Sequence, residues 1–175
     1  MSSPQEPLIR LHASCADGVF RYLWSLTGDE GAAKDLLQDV FIKIALNLSG
    51  IMLAESERAW VFKIARNSGL DWLRRRRAQE NAVTRMANEA GECFMLPDDP
   101  DAAAMQGRMA EALAALPEDQ RTAIHLHLWE GLTFREIAEI QGTPLPTITS
   151  RYRYGIAALR GQLQPLYSEL YESAR

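Results

Sequence analysis

Four consecutive arginines and a group of aromatic and amide side chains lie close together in the first half of this sequence. The arginines occupy residues 74–77, and Trp60, Asn67 and Trp72 precede them in one predicted helix. Guanidinium groups neutralise phosphates and aromatic rings stack on unpaired bases, so this combination suits opened or single-stranded DNA. A disordered basic segment is the commoner meaning of an arginine run, and some of the tryptophans are expected in a core.

A second group, near the C-terminus, has the spacing of a helix-turn-helix. Gly142 follows Ala138 by four residues, and Ile148 follows Gly142 by six. A small residue lets crossed helices approach, glycine supplies a left-handed turn, and the apolar residue returns to the shared core. The side chains expected on the outside, suited to base edges and phosphates, are Thr147, Thr149, Ser150, Arg151, Arg153 and Tyr154. A plain helical hairpin with a solvated polar face is the alternative.

A third group of polar residues lies on one side of the second predicted helix. It consists of Asp35, Gln38, Asp39 and Lys43, opposite an apolar stripe. An ordinary solvated face accounts for the spacing alone. The functional interpretation is an acidic and amide-bearing docking face for a basic partner helix.

Arrangements that perform catalysis or hold metals are missing from the sequence. His125 and His127 are two residues apart, which points them to different sides of a helix and disfavours a paired metal site. Asp98, Asp99 and Asp101 fit a solvated linker better than a metal site. We find no nucleophile–base pair, phosphate-cradling loop or Cys/His cluster. We therefore expect no enzyme activity, no cofactor and no metal.

Composition favours a cytoplasmic protein with localised basic patches. The chain has 175 residues and a net charge of -4, so arginines in two separate places indicate focused contacts with a polyanion. Cys15 and Cys93 are the only cysteines, too few for a disulfide scaffold. Cys93 suits an oxidant sensor, but a free structural thiol is favoured. We predict no signal peptide and no membrane insertion.

Apolar spacing of three and four residues predicts helices almost throughout and no sheet. Asp29 is expected to cap the second helix, and residues 49–55 are predicted as a loop. The helices are predicted at residues 8–26, from 30 to about 46, from 56 through the arginines, and at 102–116, 118–129, 133–140 and 144–163. The fold class is therefore all-α. It comprises a helical domain at 8–82, a flexible acidic linker at 83–108 and a helix-turn-helix domain at 109–170.

Several ordered motifs resemble those of the extracytoplasmic-function sigma factors, within the sigma-70 family. The motifs that resemble region 2 are LTGD at 26–29, DLLQDVF at 35–41, RAWVFKIARN at 58–67 and DWLRRRR at 71–77. The motifs that resemble region 4 are LPEDQR at 116–121, GLTFREIA at 131–138 and TITSR at 147–151. Their order, their spacing and the linker between them match as well.

This resemblance implies a factor that binds core RNA polymerase and promoter DNA and helps to melt the promoter. The implied polymerase-binding residues are Asp35, Gln38, Asp39 and Lys43, on the clamp helices. The implied minus-ten residues are Asn47, Ser49, Trp60, Lys63, Arg66, Asn67, Arg74, Arg75, Arg76 and Arg77, with a flipped base in the loop 47–55. The implied minus-thirty-five residues are Arg135, Thr147, Thr149, Ser150, Arg151, Arg153 and Tyr154. The segment 118–129 would face the polymerase flap. Relatives commonly have an anti-sigma factor, so we expect one here.

Some positions depart from the family pattern and put individual DNA contacts in question. Leu145 stands where relatives often have Glu, Thr149 where they often have Lys, and the loop 51–55 is unusually apolar. Gly155 replaces a usual Ala, at a cost of about 1 kcal/mol in helix propensity.

Two other functions remain open at this point. One is a dimeric helix-turn-helix regulator that does not bind polymerase, and the other is a protein-interaction module of the transcription apparatus.

Overall fold

The computed structural model describes residues 6–80 and 100–173, and within these ranges the regular structure is entirely helical. The elements in chain order are α1 (Glu6–Thr27), α2 (Glu30–Leu46), α3 (Leu48–Met52), α4 (Glu57–Glu80), α5 (Pro100–Ala114), α6 (Glu118–Leu128), α7 (Phe134–Gln141) and α8 (Leu145–Ser173). Residues 81–99 lie outside the described part, including Cys93 and most of the predicted linker. The all-α prediction is confirmed.

The N-terminal helices α1, α2 and α4 form a three-helix unit. Its core contains the apolar residues that recur at helical spacing, among them Val19, Leu23, Val40 and Phe62, each fully buried. The predicted cap of α2 is confirmed, since Asp29 accepts a hydrogen bond from the backbone N–H of Ala32 at 2.9 Å. Burial of one stripe on each helix leaves the opposite stripe on the surface.

The prediction of a loop at 49–55 is wrong for residues 49–52. Residues 48–52 form the short helix α3, and only residues 53–56 connect it to α4 without regular structure. The cause is tertiary: Ile51 is buried against the N-terminal core, and one helical turn places it there. Local sequence did not reveal this, because Ser49 and Gly50 are poor helix formers.

The C-terminal helices α5–α8 contain the predicted helix-turn-helix, which is confirmed in detail. Thr133 and Glu136 form a reciprocal capping box at the start of α7. Gly142 ends α7 in the left-handed conformation with φ 60°, and Ile148 returns to the core fully buried. The last helix is longer than predicted and continues to Ser173. Pro165 lies inside this helix, where it removes one backbone hydrogen bond without ending the helix.

Gly155 has a packing role that the sequence did not indicate. A Cβ at this position would lie 2.6 Å from Cδ1 of Ile124 and 3.3 Å from Cβ of Gln120. The absence of a side chain therefore lets α8 approach α6 closely. This close approach accounts for a residue that propensity alone disfavours.

The two helical units pack directly against each other. Helices α1 and α4 of the N-terminal unit contact α6 and α7 of the C-terminal unit. Tyr22 lies at the centre of this contact, with its hydroxyl 3.2 Å from Oγ1 of Thr122 and its ring edge-on to Phe62. Burial raises the pKa of Tyr22 well above its ordinary value. We call this packing the closed arrangement.

Candidate polymerase and promoter interfaces

The candidate polymerase-binding face lies on the solvent side of α2. Asp35, Gln38 and Asp39 are exposed there, because the opposite stripe of α2 is committed to the core. That buried stripe consists of Ala33, Leu36, Val40 and Ile44. Two apolar side chains, Ile42 and Leu46, continue the exposed face and are 57% and 83% exposed. The surface thus combines carboxylates, an amide and apolar groups, which suits a protein partner.

Lys43 differs from the other three predicted docking residues. Its ammonium group donates a hydrogen bond to Oγ of Ser68 on α4 at 2.7 Å. Ser68 itself is buried. This contact directs the Lys43 side chain towards α4, so it stabilises the packing of α2 on α4.

The candidate minus-ten residues of α4 lie mainly along one stripe. Trp60, Lys63, Asn67 and Arg74 are separated by three, four and seven residues, which places them on the same side of the helix. Lys63, Asn67 and Arg74 are exposed. Trp60 is half-buried and packs beside α3, where a Cβ on Gly50 would lie 2.9 Å from Cζ2 of its ring.

Asn47 and Ser49 lie next to this stripe, at the junction of α2 and α3. The Ser49 hydroxyl donates to Oδ1 of Asn47 at 3.4 Å, and both residues are exposed. Polar groups, an indole ring and a lysine therefore meet where the resemblance implies a flipped base.

The four consecutive arginines do not form one patch, because successive residues of a helix point about 100° apart. Arg74 pairs with Asp71 at 2.8 Å. Arg76 turns the other way, with its guanidinium 5.0 Å from the centre of the Trp72 ring and 3.9 Å from Oδ2 of Asp29. Arg75 and Arg77 are exposed. Only part of the predicted basic run is therefore available to a single nucleic-acid strand.

Helix α8 presents the candidate minus-thirty-five side chains. Thr147, Thr149, Arg153 and Tyr154 are exposed, and the Arg153 guanidinium lies 5.2 Å from the centre of the Tyr154 ring. The hydroxyl of Thr149 donates to the backbone carbonyl of Leu145 at 3.1 Å. Its remaining capacity is that of an acceptor, which suits amino groups of bases in the major groove.

The other predicted residues of this surface differ in availability. Ser150 is half-buried and donates to the carbonyl of Pro146 at 3.0 Å. Arg135 is exposed on α7. Arg151 is half-buried, and its guanidinium pairs with Asp119 at 2.7 Å and also donates to Gln141. These contacts fix the direction of the Arg151 side chain.

Comparison with known proteins gives the family. A family model described as Sigma-70 region 2 matches residues 11–79, and one described as Sigma-70, region 4 matches residues 106–159. The ECF RNA polymerase sigma factor SigL of Mycobacterium tuberculosis is 33% identical over 150 residues, which cover 85% of this chain and 84% of SigL. This chain belongs to the ECF sigma factors. It is an RNA polymerase sigma factor of the sigma-70 family, and the two alternative functions are not favoured.

Other relatives of this sigma factor agree with the family and the fold. SigW of Bacillus subtilis is 25% identical over 159 residues, covering 86% of this chain and 85% of SigW. The sigma factor RpoE of Bartonella quintana, solved with the anti-sigma factor NepR, has a TM-score of 0.78 at 24% identity, with 91% of this chain and 98% of RpoE covered. CnrH, solved with the cytosolic domain of CnrY, has a TM-score of 0.69 at 22% identity and covers 92% of this chain and 90% of its own. The last two similarities concern the fold alone.

In this sigma factor, the sequence did not identify the acidic residues that face the N-terminal arginines. Glu118, Asp119 and Glu130 of the C-terminal unit pair with arginines of α1 and α4. The sequence analysis included the first two only as part of the LPEDQR motif at 116–121, which does not report their contacts with arginines. No local signal distinguished Glu130. Among residues 6–80 and 100–173, every helix is too short or too polar to cross a bilayer.

Proposed function

We propose that this sigma factor docks on core RNA polymerase through the exposed face of α2. Asp35, Gln38 and Asp39 would contact a basic helical surface, since carboxylates and an amide complement lysine and arginine side chains. Lys43 would act indirectly by holding α2 on α4. The observation that carries this proposal is that polar residues of the family motif are exposed while the remaining stripe of α2 is buried.

We propose that α3, the following loop and the exposed stripe of α4 bind the melted minus-ten strand. Asn47, Ser49 and Trp60 would contact a base that has left the stack, and this contact would trap the melted state. The arginines and neighbouring polar residues would hold phosphates. These are Lys63, Arg66, Asn67, Arg74, Arg75 and Arg77, with Arg76 supporting the helix through Trp72.

We propose that α8 enters the major groove at the minus-thirty-five element. Thr147, Thr149, Arg151 and Arg153 would contact base edges or phosphates from its first turns, and Tyr154, Ser150 and Arg135 would flank them. This division of tasks follows the domains expected from sequence, at 8–82 and 109–170 with a linker between them. The segment 118–129 would face the polymerase flap. The polymerase, and not this chain, makes and breaks bonds.

We also propose that an anti-sigma factor restrains this protein in the cytoplasm and that the released protein joins the nucleoid with the polymerase. The support is by analogy: RpoE of Bartonella quintana was solved with the anti-sigma factor NepR, and CnrH was solved with the cytosolic domain of CnrY. Co-purification of the tagged chain from its own organism tests this part.

Run-off transcription with sigma-free core polymerase on genomic fragments tests the main proposal. Asp39→Arg should abolish co-purification with core polymerase and run-off product, because it places a cation on a face that meets a basic partner. Glu111→Arg is the matched control, since it changes the charge equally on the exposed side of α5. Core binding by Asp39→Arg equal to that of the control would exclude α2 as the docking face.

A further inference from the structure

The closed arrangement is held by carboxylates of the C-terminal unit and arginines of the N-terminal unit. Glu130 lies 2.6 Å from Nη2 of Arg58 and 3.3 Å from Nη2 of Arg21. Asp119 lies 2.9 Å from Nη2 of Arg66. A hydrogen bond reinforces these pairs, since the Ser56 hydroxyl donates to the Glu136 carboxylate at 2.7 Å. The pairs therefore cross the boundary between the two DNA-binding units.

Glu130 is buried in this boundary, with a side chain only 1% exposed. Burial alone would raise the pKa of Glu130, but His125, Arg58 and Arg21 outweigh burial and lower it, so the carboxylate is charged at neutral pH. Both arginines belong to the N-terminal unit. A buried carboxylate with this set of partners selects one relative placement of the units, because any other placement loses its counter-charges.

The same boundary covers a residue that the proposed function assigns to the melted strand. The Arg66 side chain is 11% exposed, and its guanidinium is occupied by Glu118 and Asp119. Asp119 is the closer partner, and burial raises the pKa of Glu118 despite the nearby arginine. Both carboxylates contact Nη2 of Arg66, so a phosphate oxygen can reach that nitrogen only by displacing them. Nη2 of Arg66 therefore cannot pair with Asp119 and with a phosphate at the same time.

Helix α7 covers the neighbouring part of the strand-binding stripe. Trp60 and Lys63 of α4 line a cavity of about 120 Å³ together with Glu139 and Ile140 of α7. Residues 54–56, in the loop beside the expected base pocket, complete its wall. The space does not accommodate a nucleotide strand, and Glu139 adds a negative charge. The closed arrangement thus covers Arg66 and the part of Trp60 and Lys63 that faces α7, while the rest of the candidate minus-ten surface stays exposed.

We propose that the closed arrangement is self-inhibited, with the Glu118–Asp119 pair occupying Arg66 in place of DNA phosphates and Glu130 holding the units together. This inference rests on the proposed function of α4 as the strand-binding helix. Asp119 also pairs with Arg151 of α8, so one carboxylate engages an arginine of each DNA-binding surface. Separation of the units releases Arg66, whereas Arg151 stays paired until DNA displaces Asp119.

The test compares locked and released forms of the full chain. Cysteines are introduced by Ser56→Cys and Glu136→Cys in a Cys93→Ser background. A short bismaleimide that contains a reducible disulfide then joins the two new cysteines. Cys15 is buried and should not react. The probe is a fluorescein-labelled single-stranded oligo(dT) 20-mer, followed by anisotropy. We expect the locked protein to bind about tenfold more weakly than the same protein after reduction. A linked pair at exposed positions of one unit, Ala13→Cys and Glu6→Cys on α1, is the control and should show no difference.

The outcomes separate this inference from the function on which it rests. Equal binding by locked and reduced protein would overturn self-inhibition and leave the role of α4 standing. If neither form binds the oligonucleotide, and Glu130→Gln does not bind it either, the strand-binding role of α4 fails and the inference fails with it. Stronger binding by Glu130→Gln, with Glu111→Gln unchanged, would support the inference independently of any crosslink.

Discussion

Replacement of Gly18 by alanine is expected to have opposite effects in two backgrounds. Gly18 lies on α1 where it meets Glu130, and an added Cβ would be 2.9 Å from Cδ and 3.1 Å from Oε1 of that residue. Carbon atoms in favourable contact are about 3.5–4.0 Å apart. The carboxylate therefore has to move by roughly half an ångström or more. It cannot do so freely, because Arg58 holds it at 2.6 Å.

The magnitude follows from two terms. Loss of a hydrogen bond to a charged group costs about 1.5–3 kcal/mol, and alanine in place of glycine inside a helix contributes about 1 kcal/mol. Gly18→Ala should thus lower the free energy of unfolding by about 0.5–2 kcal/mol in the natural sequence. With Glu130→Ala present the clash is gone, and Gly18→Ala should instead raise it by about 1 kcal/mol.

Urea denaturation of the four chains of this double-mutant cycle measures the coupling. Gly107→Ala is the control, since an added Cβ there meets nothing within 4 Å and should stabilise α5 equally in both backgrounds. The same change in stability for Gly18→Ala with and without Glu130 would refute the claim that the closed arrangement depends on this contact.

Three further predictions concern pH, capping and DNA contacts. Burial lowers the pKa of His125 in the folded protein, so below about pH 6.5 the unfolded chain binds more protons than the folded chain. The free energy of unfolding, measured by urea denaturation, should therefore fall from pH 7.5 to 5.5. His125→Phe should show a smaller fall over the same range. Thr133→Ala removes the α7 capping box and should lower the free energy of unfolding by about 1 kcal/mol, with Thr133→Ser near the natural value; equal losses would contradict a hydroxyl cap. If Arg151 contacts a base edge, Arg151→Ala should weaken binding to the cognate promoter by about 1–3 kcal/mol in footprinting. If binding to all sequences weakens equally, and affinity depends less steeply on salt concentration, Arg151 contacts a phosphate instead.

The sequence predicted those features that depend on neighbours along the chain. The cap by Asp29, the turn at Gly142 and the return of Ile148 to the core are each set within a few residues, so spacing and residue type were enough. The helix at 48–52 was missed because the burial of Ile51 depends on the packed core. The sequence analysis counted Gly155 only as a loss of helix propensity. Its packing role was missed because the neighbouring Ile124 lies on another helix.

The placement of the candidate site residues was predictable only in part. The exposed face of α2 followed from helical period, and the family motifs supplied its meaning. The pairing of Arg66 with Asp119 joins residues 53 apart, and that of Arg21 with Glu130 joins residues 109 apart. No local pattern reports contacts at such separations. Two arginines that the sequence analysis assigned to DNA, Arg66 and Arg151, are therefore both paired with Asp119 in the closed arrangement.

The local sequence explains why carboxylates stand at residues 118 and 119, but it does not explain the position of Glu130. Carboxylates at residues 118 and 119 lie in the first turn of α6, where they stabilise the positive end of the helix dipole whether or not Arg66 is near. Glu130 has the opposite position, just after the end of α6, where a negative charge is unfavourable. It is also buried, which adds to the cost. His125 of the same unit offsets part of this cost, and Arg21 and Arg58, from the other unit, supply the rest. Glu130 is therefore the residue whose placement depends most on the closed arrangement, and the residue whose substitution tests that arrangement most directly.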